Sequence, residues 1–149
     1  MTIYLGADHG GFEQKEQLRV YLEERGYAVE DCGAHELDPD DDYPEFAHCV
    51  AEKVAENPEV DRGIVLCRNG IGVSIVANKT DGVRCAHAES EEIARSSRAD
   101  DDTNVLSIAA DYIDEMDVQR IVDTWLETEF SGEDRHKRRL RMIEEIEGQ

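Results

Sequence analysis

The chain has 149 residues, which is the length of one domain. Its formal net charge is −20, from 36 acidic and 16 basic residues, so general nucleic-acid binding is excluded because phosphate backbones would be repelled. No apolar stretch approaches the ~20 residues that span a bilayer, and the N-terminus runs into a strand pattern without a signal-peptide form, so we expect a cytoplasmic protein with no membrane partner.

Strand and helix patterns alternate from one end of the chain to the other. Short apolar runs predict buried strands, and runs with an apolar period of about 3.6 residues predict helices. The predicted strands are 2–7, 27–31, 63–66, 82–86 and 105–109. The predicted helices are 12–25, 43–56, 73–78, 90–98, 114–127 and 134–147. This alternation predicts a parallel sheet covered by helices on both faces, in a single domain over residues 1–149.

The cysteines and the acidic loop do not predict a metal site. The four cysteines are widely spaced and form no C-x-x-C motif, which predicts reduced thiols and no zinc site. The acidic loop 36–42 lacks the glycine and the distal glutamate of an EF-hand, so we expect a solvated loop rather than a calcium site. The overall acidity indicates either adaptation to high salt or simply a well-solvated surface.

Polar residues follow the first and third predicted strands, where parallel sheets bind their ligands. Asp8 and His9 come after the first strand, and Cys67 ends the third just before a glycine turn and a helix. Free N–H groups at a helix N-terminus favour a thiolate, which can act as nucleophile or general base. The free N–H groups of residues 69–74 can also hold an oxyanion. The alternative for Cys67 is a small buried hydrophobic residue at the end of a strand.

Other candidate features are weaker. Gly70 and Gly72 suggest a dinucleotide motif, but its third glycine would fall on Ile75, so we predict no nucleotide site. His35, His48 and His87 have no functional context and are interpreted as surface or packing residues.

The last predicted helix begins with five basic residues among positions 135–141. Arg135 and Arg139 are four residues apart and share a helix face, which suits binding of phosphate oxygens. Salt bridges to the many carboxylates are the alternative.

Taken together, the motifs and their order resemble one known family. They are GADHGG at 6–11, DYP at 42–44, GIVLC at 63–67, GIGVSIVANK at 70–79, GVR at 82–84, SR at 97–98, DTNVL at 102–106, and Gly132 with RH at 135–136. Over nearly its whole length, the sequence resembles the ribose-5-phosphate isomerase B and galactose-6-phosphate isomerase family.

The resemblance implies a Rossmann-like three-layer α/β/α sandwich with a parallel five-stranded sheet. It implies a metal-free aldose–ketose isomerisation without a cofactor, interconverting ribose 5-phosphate and ribulose 5-phosphate through a cis-enediolate. It also implies a homodimer, or a tetramer, in which two subunits contribute to each site. The alternatives are an isomerase of another aldose phosphate, such as allose 6-phosphate or galactose 6-phosphate, and a non-catalytic sugar-phosphate-binding protein.

The resemblance also implies roles for individual residues. Cys67 is the expected general base, with Asn69 and Asp100 as further catalytic residues. Asp8 is expected to bind sugar hydroxyls, and the enediolate oxygen is expected to be held by the backbone amides of Gly70, Ile71, Gly72 and Ser74. The phosphate is expected to be bound by His9, and by Arg135 and Arg139 from the partner chain. Tyr43 and Asp101 are expected to lie in the pocket.

The sequence departs from the family pattern at two places. Family members commonly have a ring-opening histidine where this chain has Asp100. An aspartate there donates a proton only if neighbouring Asp101 and Asp102 keep it protonated by like-charge repulsion; otherwise it acts as a base, or another group substitutes. After the cysteine the family often has Gly and then Ser or Thr, whereas here Arg68 and Asn69 follow, and we expect Arg68 to reshape the pocket mouth.

Overall fold

The computed structural model describes residues 1–148, which form a five-stranded parallel sheet and six helices. The strands are β1 (Thr2–Ala7), β2 (Ala28–Asp31), β3 (Arg62–Cys67), β4 (Cys85–His87) and β5 (Val105–Ala109). The helices are α1 (Phe12–Glu24), α2 (Tyr43–Glu56), α3 (Ile71–Ala77), α4 (Glu91–Asp101), α5 (Glu115–Glu127) and α6 (Asp134–Glu147). The strand order is β2-β1-β3-β5-β4, which confirms the predicted α/β fold.

Side chains of the central strands alternate between two hydrophobic clusters, one on each face of the sheet. On β3, Ile64 and Leu66 belong to the cluster that includes Trp125 of α5, whereas Val65 and Cys67 belong to the cluster that includes Val50 of α2. Successive residues of a strand point to opposite faces, so the continuous apolar run of β3 serves both layers. The sheet is therefore the middle layer of three.

The strand β4 starts later than the sequence predicts, at residue 85 instead of residue 82. The backbone N–H of Arg84 donates to Asn104 Oδ1 and that of Cys85 to Asn78 Oδ1, each over 2.8 Å. Before them, Val83 N–H closes a turn onto the carbonyl of Thr80. Because the N–H groups of Val83 and Arg84 are bonded elsewhere, regular pairing with β5 begins only at Cys85.

A buried lysine connects α1 to the end of β2. The Lys15 side chain is fully buried, and its ammonium donates to Glu16 Oε1 over 2.6 Å and to the carboxylate of Asp31. The other oxygen of Asp31 accepts a hydrogen bond of 2.8 Å from the N–H of Gly33. A buried ammonium is tolerated only when it is paired in this way.

None of the helices within residues 1–148 combines the length and the apolar character that a membrane crossing requires.

Candidate active site

The carboxyl ends of β1 and β3 lie side by side and open into a cavity of about 400 Å³. The loop that follows each strand and the start of α2 and α3 supply its walls. The lining residues are Asp8, His9, Tyr43, Cys67, Arg68, Asn69, Ile71, Gly72 and Ile75. The structure thus brings together most of the residues that the sequence selected at the strand ends.

Cys67 is the last residue of β3 and lies at the floor of the cavity, where its side chain is almost wholly buried. Its Sγ is 3.8 Å from Asn69 Oδ1, and the same oxygen accepts a hydrogen bond of 3.0 Å from the N–H of Ile71. Asn69 therefore bridges the thiol and the first residue of α3. This contact fixes the sulfur at the junction between the strand and the helix.

The other three cysteines lie elsewhere and, like Cys67, are unpaired thiols. Burial raises the pKa of Cys85 to about 12 and also raises that of Cys32, so neither is poised to form a thiolate near neutral pH.

Gly70 forms the sharp turn from β3 into α3. It has a φ of +70°, in the left-handed region that glycine adopts without strain. Its carbonyl accepts a hydrogen bond of 2.6 Å from the Ser107 hydroxyl, and Ser107 Oγ is 3.0 Å from His87 Nδ1. Since the single hydroxyl proton of Ser107 is used, His87 Nδ1 must be the donor to Oγ.

His87, which the sequence analysis interprets as a surface or packing residue, packs on this turn and does not line the cavity. Its ring lies against Gly70, since a Cβ there would be only 2.6 Å from His87 Cε1. A histidine on β4 and a serine on β5 have no local sequence signal that would predict their meeting.

The first turn of α3 offers backbone N–H groups to the cavity. The N–H of Ile71 is bonded to Asn69, and that of Ser74 to the carbonyl of Gly70 over 3.3 Å. Within the described chain, the first-turn donors left for a ligand are those of Gly72 and Val73. Gly72 lines the cavity, whereas the predicted contributor Ser74 does not.

Tyr43, the first residue of α2, packs directly on the backbone of Gly72. A Cβ at Gly72 would lie 2.6 Å from Tyr43 Cζ, so only glycine allows this approach. The tyrosine ring thereby forms a cavity wall next to the free N–H groups.

Asp8 and His9 form the wall that follows β1. Asp8 is buried and its Oδ1 accepts a hydrogen bond of 3.0 Å from the N–H of Gly10; burial raises its pKa. His9 Nδ1 is 2.7 Å from Asp41 Oδ1, and this hydrogen bond raises the pKa of the imidazole.

The solvated-loop interpretation of residues 36–42 is wrong for Asp41. Its side chain is only 10% exposed and is directed at His9, whereas Asp38, Asp40 and Asp42 are exposed as predicted. Together Asp8, His9 and Asp41 place three potential ligand atoms within 4.8 Å of one another. However, His9 Nδ1 and Asp41 Oδ1 already engage each other, which favours a hydrogen-bonded pair over a metal site.

Arg68 lies at the edge of the cavity and is largely exposed. Its stem covers Gly10, where a Cβ would be 2.6 Å from Arg68 Cγ, and its Nη1 is 3.5 Å from Asp111 Oδ2. Its guanidinium adds a positive charge near His9.

Six predicted site residues do not line this cavity. Gly70 and Ser74 belong to the adjoining turn and helix, whereas the other four are Asp100, Asp101, Arg135 and Arg139. Asp100 Oδ1 is 3.7 Å from His136 Nδ1, and Arg135 Nε is 2.9 Å from Glu133 Oε2. Arg139 is exposed, and Asp101 lines a different cavity of about 480 Å³ beneath α6.

Asp102, two residues after Asp100, lies between two arginines. Asp102 is paired with Arg98 over 2.6 Å and with Arg84 over 3.2 Å. The negative charge of Asp102 is therefore paired with two arginines.

Residues 3–143 match the family model described as Ribose/Galactose Isomerase. The chain is 40% identical over 147 residues to ribose-5-phosphate isomerase B of Mycolicibacterium paratuberculosis, covering 99% of this chain and 92% of that protein. A solved structure of ribose-5-phosphate isomerase B from Clostridium thermocellum superposes with a TM-score of 0.94 at 43% identity, covering 99% and 98% of the two chains. The enzyme from Mycoplasma genitalium, with bound ribulose 5-phosphate, gives a TM-score of 0.96 at 36% identity, covering 99% and 97%.

Proposed function

Because the chain belongs to the ribose/galactose isomerase family, we propose that it is an aldose–ketose isomerase that interconverts ribose 5-phosphate and ribulose 5-phosphate. The observation that carries this proposal is the position of Cys67. It ends a central strand inside a cavity and is followed at once by a helix N-terminus.

Cys67 acts as the general base. Its sulfur, as the thiolate, takes the proton from C2 of the open-chain aldose and returns it to C1. The hydroxyl proton of O2 moves to O1 through the enediolate, so that the aldehyde at C1 becomes an alcohol and C2 becomes the ketone. Before it is deprotonated, the Cys67 thiol donates to Asn69 Oδ1, which also accepts from the N–H of Ile71, and this contact orients the sulfur. A positioned base of this kind contributes about 10²–10⁴-fold to the rate.

The enediolate oxygen is held by the first turn of α3. The free N–H groups of Gly72 and Val73 supply fixed dipoles where negative charge develops. The hydrogen bond of Ser107 to the Gly70 carbonyl keeps this turn in one conformation before substrate arrives.

The remaining cavity residues bind the rest of the sugar phosphate. Asp8 accepts hydrogen bonds from sugar hydroxyls, and Tyr43 forms the wall beside Gly72. His9 binds phosphate, and its raised pKa keeps a larger fraction of the ring cationic near neutral pH. No cofactor or metal has a part in this mechanism.

Arg135, Arg139 and Asp100 act in the cavity of a second copy of the chain, in a homodimer or a larger assembly. None of the three lines the cavity of its own subunit. Ile71 and Ile75, at the cavity rim, are exposed apolar residues that such a partner would cover. During ring opening Asp100 accepts the proton of the anomeric hydroxyl and returns it to the ring oxygen as the bond between that oxygen and C1 breaks. Asp101 lies beside Asp100.

The proposal also covers the domain organisation and the cellular location of the protein. Residues 1–149 act as one isomerase domain, since the described elements share a single sheet. The protein works in the cytoplasm, where phosphorylated sugars are metabolised.

The test is turnover of ribose 5-phosphate by the purified protein, followed as ribulose 5-phosphate formation at low and high salt. Cys67→Ala is the decisive variant and Cys85→Ala is its matched control, because Cys85 lies outside the cavity. We expect loss of about 10²–10⁴-fold in kcat for Cys67→Ala and near-normal activity for Cys85→Ala.

An unchanged kcat in Cys67→Ala would contradict the assigned base. If the wild-type protein turns over only allose 6-phosphate or galactose 6-phosphate, the family assignment stands and the substrate is wrong. Binding of ribose 5-phosphate without turnover would indicate a non-catalytic sugar-phosphate-binding protein.

A further inference from the structure

Asp41 is held against His9 by two hydrogen bonds from the same residue. Its Oδ1 accepts one of 2.9 Å from the backbone N–H of His9 and is 2.7 Å from His9 Nδ1. The second oxygen, Oδ2, is buried and has no partner among the described residues. A carboxylate in an acidic surface loop would ordinarily turn to water, so its inward orientation needs a reason.

The contact determines which nitrogen of His9 is available. Because Nδ1 donates to Asp41, Nε2 is the nitrogen that remains for a ligand in the cavity that His9 lines. A carboxylate partner also stabilises the imidazolium over the neutral ring. Thus one residue fixes both the orientation and the charge of His9.

We propose that Asp41 is a positioning residue that holds the His9 ring with Nε2 toward the substrate phosphate and keeps the ring cationic. The inference rests on the proposed function, in which His9 binds that phosphate. Asp41 itself does not line the cavity and acts only through His9.

Three charged groups face the His9 ring from the elements around it. Asp41 from the loop before α2 and Asp8 from the end of β1 both favour the imidazolium, whereas Arg68 from the turn after β3 opposes it. Asp41 is the one of the three that is hydrogen-bonded to the ring in the described chain. Removing the Asp41 carboxylate should therefore change the pKa of His9 more than removing Asp8 or Arg68.

The experiment compares Asp41→Asn with Asp40→Asn, which removes the same charge from an exposed neighbour. We expect Asp41→Asn to raise KM for ribose 5-phosphate roughly tenfold or more, the scale of one charge-assisted hydrogen bond, with a smaller change in kcat. The rise of KM at alkaline pH should begin at a lower pH, because the ring loses its proton earlier. Asp40→Asn should change neither quantity.

A double-mutant cycle with His9→Gln separates positioning from a general structural role. Once His9 is replaced, Asp41→Asn should have almost no further effect on KM. A full tenfold effect in the His9→Gln background would overturn the proposal, as would an unchanged alkaline limb in Asp41→Asn alone.

An NMR titration of His9 keeps the test independent of turnover and of variant folding. In the wild-type protein, with His9→Gln used for assignment, the ring should titrate above its ordinary pKa of 6.5. A midpoint at or below that value would overturn the proposal even if the protein is an isomerase. Conversely, a raised midpoint in a protein without isomerase activity would contradict only the proposed function.

Discussion

Ser107, in the middle of β5, donates a hydrogen bond of 2.6 Å to the carbonyl oxygen of Gly70, three residues beyond the cysteine that ends β3. The hydroxyl is fully buried and also contacts His87 Nδ1. Through this contact the sheet itself determines the orientation of the turn that leads into α3.

Ser107→Ala should loosen that turn and lower kcat. The buried Gly70 carbonyl would lose its partner, which costs about 1–3 kcal/mol of unfolding free energy. A displacement of about 1 Å in the N–H groups would reduce kcat by as much as ~100-fold. Steady-state kinetics and urea denaturation measure both effects, and Ser96→Ala, at an exposed helix position, is the control. A wild-type kcat in Ser107→Ala would show that the turn holds without the serine.

Gly70→Ala should be more damaging than Gly82→Ala, although both glycines have positive φ angles. A Cβ added at Gly82 would meet no atom within 4 Å, so alanine there costs only the backbone strain of about 1–2 kcal/mol. At Gly70 the same strain is joined by a collision with His87 Cε1 at 2.6 Å. Denaturation midpoints and kcat should therefore fall further for Gly70→Ala; equal losses would argue against the close packing of His87.

Arg68→Ala should weaken substrate binding more than it slows chemistry. Its exposed guanidinium lies at the cavity edge near His9, so its loss should raise KM about twofold to fivefold, as for exposed charge interactions. The effect should shrink as salt is added, because exposed charges are screened. Arg95→Ala, at an exposed position on α4, controls for net charge. An effect of the same size in both variants would indicate only the overall field of the protein.

Lys15→Met should destabilise the fold by about 3 kcal/mol, because it leaves the carboxylate of Asp31 without its buried partner. Lys53→Met, on the surface of α2, should cost less than about 0.5 kcal/mol. Urea denaturation at neutral pH compares the two. A loss in Lys15→Met no larger than that in Lys53→Met would show that the buried pair contributes little.

Lys15→Met should also change how the free energy of unfolding depends on pH. Hydrogen bonding from Lys15 lowers the pKa of Glu16 below 4.5 in the folded protein. A lowered folded-state pKa contributes stability that is present above 4.5 and is lost as the pH falls through the folded value. Lys15→Met removes the largest cause of this shift and leaves the smaller one from Arg19, so its unfolding free energy should fall less steeply with acidification below pH 4.5. Denaturation series from pH 6 to about pH 3 measure the slope.

The sequence predicted most elements to within a few residues because apolar periodicity reports burial directly. The runs 2–7, 43–56, 105–109 and 134–147 have the observed bounds. The predicted start of β4 was wrong because the N–H groups of Val83 and Arg84 bond to the Thr80 carbonyl and the Asn104 side chain instead of to a strand, which the apolar pattern does not reveal.

The candidate site likewise contains features that the sequence could predict and features that it could not. Cys67, Asp8 and His9 could be found because they end buried strands, where a parallel sheet opens to ligands. The contacts of Asp41 and His87 could not be predicted, since their partners His9 and Ser107 are 32 and 20 residues distant in the chain. In both cases the role arises from a tertiary contact and not from the residue's own segment.

The edges of the sheet are its two shortest strands, β2 with four residues and β4 with three. An exposed edge strand is a template on which another chain can pair and begin to aggregate. Here the longer apolar strands are shielded inside the sheet, and the edges offer little length for intermolecular pairing. Together with the strong negative charge, this arrangement should keep the folded protein from assembling edge to edge even at high concentration.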